Sequence, residues 1–163
     1  MQRFVFWILR GREGGNCSDM SDQGKDHNSR PEGVDDATVE AVGALSEALE
    51  WVERARGELY SFHQLMGRAD VLLGEACDKL RDAGHAAVAD RLQDDLVGRN
   101  VLHGRWTFQI VEEFDDCYWS VFRDHERMVR DELQQGRRHV YESEMKERRR
   151  THGKPGHERR PNE

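Results

Sequence analysis

The chain has 163 residues, of which 36% are hydrophobic and 35% charged, and its formal charge is −7. So little apolar material excludes a thick globular core and points to an elongated helical bundle to which a partner adds burial. The negative balance argues against a general nucleic-acid binder, although from Gly136 to Glu163 nine Lys/Arg stand against five Asp/Glu, so that stretch carries +4 and the remainder −11.

At the amino end, Phe4 to Leu9 make six apolar residues between Arg3 and Arg10. That is too few for a signal-peptide core and far below the ~20 residues that span a bilayer, so no membrane partner is expected. Gly11 to Asp35 is Gly, Ser, Asp, Asn and charge, and residues 1–35 read as a disordered leader. Met20 opens an ordinary polar amino terminus, which makes it the expected true start. Cys17, Cys77 and Cys117 have no paired spacing, so neither a disulfide framework nor a zinc knuckle is indicated and a cytoplasmic setting is the simplest.

From Ala37 to Ala83 an apolar beat of seven residues keeps step. One row is Leu45, Val52, Leu59, Met66, Leu73, Leu80, and the row three positions on is Ala48, Ala55, Phe62, Ala69, Ala76, Ala83. Two such rows predict one long helix burying a narrow coiled-coil seam. Asp35 and Asp36 supply an N-terminal carboxylate cap, and Gly84 after Lys79 and Arg81 marks a glycine-closed end. Four internal glycines, at 43, 57, 67 and 74, each cost up to ~1 kcal/mol relative to Ala, yet the phase runs through them.

His85 to Val97 reads as a short amphipathic helix over the tip of a hairpin. The loop Gly98 to Trp106 then leads into a second long helix, to about Gln135, whose apolar row is Val111, Phe114, Tyr118, Val121, His125, Met128. Arg137 to Arg150 is again helical, and residues 151–163 read as a disordered basic tail. The fold class is therefore all-α: a long antiparallel helical hairpin with a short helix at its tip and a C-terminal helical extension, over residues 36–150.

Beside the main seam lies a third row, Leu49, Arg56, His63, Asp70, Cys77, polar in its middle. With the hairpin ends Ala83 and Arg105 level, residues pair when their numbers add to about 188, which sets His63 opposite His125. Two facing imidazoles with Asp70 and other nearby carboxylates suit Zn or Fe. No Glu-x-x-His pair supports a di-iron site, and register-fixing structural histidines are the plain alternative. Arg99, Asn100, His103 and Arg105, beside a new helix start, have the chemistry of an anion or phosphate site, with an ordinary self-satisfying connector as the alternative. Glu112, Glu113, Asp115 and Asp116 read as a solvated face near a helix N-terminus. The basic tail lacks the aromatic interleaving that stacks bases. No strand-turn-helix elbow sets up Ser61 or Cys117 as a nucleophile, so no catalytic residue is assigned.

The stretches GRNVLHGRWTFQIVEEFDD and RRHVYESEMKERRR resemble small uncharacterised all-helical proteins of high-GC actinobacteria, over about Val39 to Arg160. The resemblance implies a bacterial cytoplasmic setting and transfers no site. Taken together, the residues point to a structural or interaction protein that forms a homo-oligomer or docks on another helical protein.

Overall fold

The structure, a computed structural model, describes residues 27–159. It is all-α: α1 is Asp36–Asp82, α2 Ala86–Asp95, α3 Thr107–Phe114, α4 Ser120–Gln134 and α5 Val140–Arg149, with a π-helical turn, Asp115–Trp119, joining α3 to α4. There is no β-strand among the described residues. No described helix is long and apolar enough to cross a membrane.

The ends of α1 follow from its caps. Asp35 accepts a hydrogen bond from the Thr38 amide at 2.8 Å, satisfying one of the orphan donors of the first turn. At the other end Gly84 takes φ +86°, and the His85 amide returns to the Leu80 carbonyl at 2.8 Å, the closure a left-handed glycine permits. Between them α1 runs unbroken through Gly43, Gly57, Gly67 and Gly74.

Every other described helix packs on α1, and apart from the continuous α3, π-turn and α4 the described helices do not pack on one another. Four hydrogen bonds fix how the second long segment lies. Ser46 donates to Glu126 (3.0 Å), Trp119 Nε1 to Glu53 (2.7 Å) and Arg56 Nε to Asp115 (2.7 Å), while His63 Nδ1 meets Thr107 Oγ1 at 2.8 Å. The paired numbers add to 170–172 rather than the expected 188. The shift arises because α2 does not sit over a tip. It folds back along the end of α1, where Arg81 reaches Asp90 at 3.2 Å, and the loop continues down α1 until the Gly98 amide meets Asp70 Oδ1 at 2.7 Å. Thus α3 begins level with His63, not with Ala83.

The side of α1 that packs also differs from expectation. The leucine row is half-buried throughout, but its companion is the polar row, in which Val42 and Cys77 are buried and Leu49, Arg56 and His63 half-buried. The alanine row from Ala48 to Ala83 faces outward, every member exposed. A second shift occurs past Phe114. A π-turn holds one residue more than an α-turn and so advances the buried face by one position. Consequently Tyr118, Val121, His125 and Met128 turn outward, and Trp119, Phe122, Glu126 and Arg130 turn toward α1.

At the start of α1, Val39 and Val42, together with Pro31 and Val140, are all nearly inaccessible. Gly43 lets α5 approach closely, since a Cβ there would stand 3.1 Å from Tyr141 Cβ. Arg30 clamps the same end with two bonds to Glu144 at 2.7 and 2.8 Å, and Arg137 reaches Ser29 at 2.9 Å. Residues 27–35 of the expected disordered leader are therefore tied to α5 and the turn before it. The rest of the leader, Met20 included, and residues 160–163 of the tail lie outside the described residues.

Candidate functional site

A polar cluster, a groove and an apolar surface are the three candidates. The first is built on the π-turn. Arg56 holds Asp115 with Nε and Nη2 at 2.7 and 2.9 Å, and the Tyr60 hydroxyl donates to the same carboxylate at 2.7 Å. The Arg56 guanidinium also lies 4.2 Å over the Trp119 ring, whose other neighbour is Arg123 at 4.5 Å. Its Arg56 bonds hold the Asp115 carboxyl below the ordinary 3.8, and accepting from Tyr60 pushes that phenol above 10.0. Each charge here has a partner, so the cluster spends its chemistry on locking the π-turn against α1. Glu126 and Arg130 extend the lock, buried together with a 3.1 Å ion pair, with Ser46 on the carboxylate and the Gly136 carbonyl on the guanidinium.

The second arrangement is a groove of about 700 Å³ between α1 and the loop into α3. Met66, Leu73, Leu96, Val101 and Trp106 line it, together with Ala69, Asp70, Arg99 and Asn100. Trp106 is 60% exposed and meets Phe108 edge-on at 5.3 Å.

The expected metal set is not brought together. His63 is bonded to Thr107 and Asp70 to the Gly98 amide, while His125 lies exposed near the level of Ser46, about 25 Å further along α1 than His63 at 1.5 Å per residue. Among the described residues no three His, Cys, Asp or Glu side chains converge as a metal site needs. The expected anion loop is divided. Arg99 and Asn100 reach the groove, whereas Arg105 is paired with Glu113 and His103 is exposed. The acidic run is divided as well, with Asp115 turned to Arg56 and Glu112, Glu113 and Asp116 exposed. Sequence reasoning passed over Tyr60, Trp119 and Arg130, and counted Glu126 only among the carboxylates near the expected metal site. The signal that could have found them is the surplus of apolar residues at Phe122, Val129 and Leu133, which offers a second face one position out of phase with the first.

The third feature is the outward side of α1. The alanine row and the row beside it place Ala48, Trp51, Ala55, Phe62, Leu65, Ala69, Leu72 and Ala76 on one strip, with Trp51 61%, Leu65 66% and Leu72 44% exposed. Alternating steps of three and four make this a second seam on the same helix. The chain matches no protein-family model, no curated protein and no solved structure. What its geometry defines is an all-α protein built along one long helix, one side of which the other described helices cover and the other side of which no described helix covers.

Proposed function

We propose that this is a helical interaction protein, an antiparallel hairpin braced by α2 and α5, that self-associates through the outer seam of α1. The observation that carries the reading is the exposed strip itself, which repeats in heptads from Ala48 to Ala83, about 50 Å of helix. A lone exposed leucine is ordinary; a largely apolar strip at heptad spacing with tryptophan and phenylalanine on it marks an interaction surface. The small alanines let a neighbouring backbone come close while the large residues fill the gaps between them.

Light scattering on the full chain at micromolar concentration tests the reading. A mass of about 38 kDa, twice the 19.0 kDa of the chain, is expected. Replacing Leu65 and Leu72 by Glu is expected to give a monomer with unchanged helical circular dichroism. A wild-type monomer at 100 μM, on the order of the weak end of specific association, sinks the proposal.

The groove supports a second reading, in which Arg99 and Asn100 hold the anionic end of a small ligand whose apolar body lies against Trp106. A medium-chain carboxylate is then expected to change tryptophan fluorescence saturably in the wild type and not in an Arg99→Glu variant. An identical response from both would remove it.

A further inference from the structure

The outer seam is apolar except at two positions, Glu58 and Lys79, which are opposite in charge, share one row and lie three heptads apart. Neither forms an ion pair within the described residues. In the row flanking that one, Arg54 and Asp82 repeat the arrangement four heptads apart, and Asp82 sits in the last turn, where the helix dipole adds negative charge. We infer that the occupant of the outer seam is a second copy of this chain, antiparallel, with its two-fold axis near residue 68, so that Glu58 meets Lys79 and Arg54 meets Asp82 of the other copy. The inference rests on the proposed self-association and specifies its geometry.

Three features of the strip agree on this arrangement. Glu58 with Lys79 and Arg54 with Asp82 have midpoints within one residue of each other, so one axis satisfies both pairs, and each pair forms twice. An antiparallel copy on this axis pairs positions whose numbers add to 136–137, which brings Leu65 opposite Leu72 of the second copy at the middle of the seam, with the small alanines of the neighbouring row beside them. A parallel copy in register leaves Arg54, Glu58, Lys79 and Asp82 each beside its own counterpart, whereas the antiparallel copy does so for Arg68 alone among the charges of these two rows, at the axis. Like charges across a seam disfavour that alternative, as coiled-coil pairing generally shows.

Charge reversal and distance measurement together test the inference on the full chain. Glu58→Lys and Lys79→Glu are each expected to raise the dimer Kd about tenfold, and the double variant to return it to within about threefold of wild type. Nitroxides are placed at Arg68→Cys or Glu47→Cys after Cys17, Cys77 and Cys117 are replaced by Ala. Pulsed dipolar spectroscopy is then expected to give under ~20 Å for the first and about 60 Å for the second, from the helical rise. Short distances at both sites, or single reversals without effect in a persisting dimer, overturn the antiparallel register while leaving self-association in place. A chain that stays monomeric overturns both.

Discussion

Arg56 and Asp115, 59 residues apart, are joined by two hydrogen bonds at 2.7 and 2.9 Å, and this pair stands where the second long segment changes from α to π geometry. Both side chains are well covered, at 29% and 18% exposure, so the pair is less screened than a surface bridge. Arg56→Ala is expected to cost about 1–2 kcal/mol, since a bidentate charged bond and the stacking on Trp119 go together. Chemical denaturation of wild type and variant measures this, and a difference under a few tenths contradicts the assigned role.

Acid sensitivity follows from the same pair. Asp115 is held below its ordinary 3.8, chiefly by Arg56, and Glu144 below its ordinary 4.5, chiefly by Arg30. A depressed carboxyl contributes stability that is complete above its ordinary value and is lost as pH falls through the folded one. Stability is therefore expected to drop below about pH 4.5, and more shallowly in Asp115→Asn. Parallel acid limbs in thermal melts would count against the linkage.

Glu126 and Arg130 are 7% and 8% exposed. Removing one partner leaves the other charge buried, so Arg130→Ala is expected to cost about 3 kcal/mol or more. The double replacement Glu126→Leu with Arg130→Met is expected to be near neutral, because buried ion pairs repay little more than their own desolvation. A double variant as unstable as the two losses combined would contradict the account.

Glycines on α1 separate into two kinds. Nothing lies within 4 Å of a Cβ built at Gly57, whereas one at Gly43 meets Tyr141 Cβ and Cγ at 3.1 Å. Gly57→Ala is expected to stabilise by up to ~1 kcal/mol. Gly43→Ala is expected to lose that gain by pushing α5 away, since the opposing atoms sit at the root of the tyrosine side chain. Thermal melts compare the two directly, and equal stabilisation refutes the close approach.

The π-turn makes its own prediction by deletion. Cys117 is exposed within it, and removing this residue restores an ordinary α-turn while Trp119, Phe122, Glu126 and Arg130 keep facing α1. Deleting Arg127 instead rotates Arg130 and Gln134 out of the core by about 100°. The first deletion is expected to fold with a modest loss and the second to lose α5. Limited proteolysis between α4 and α5 distinguishes them.

The helix lengths, caps and all-α class were legible because they rest on local rules: Asp35 before the first turn, Gly84 after the last, and a leucine row that indeed packs. What faces what was not. Alanine and arginine compete for the position beside the leucines, and hydrophobicity ranks alanine first. In the protein Arg56 and His63 win, because Asp115, Trp119 and Thr107 give them partners that sequence order hides. His125 was misplaced twice, by assuming level hairpin ends and by carrying an α-helical period through a turn that holds an extra residue.

Because α2 and α5 both rest on α1 and on no other separate helix, they are independent attachments at opposite ends of one axle. Opening one removes no helix contact of the other, so the two are expected to open separately rather than together. Amide exchange should record this as tiers: fast and mutually uncorrelated in α2 and α5, slowest along the middle of α1. That gradation would leave the outward face of α1 in place while either attachment opens and closes.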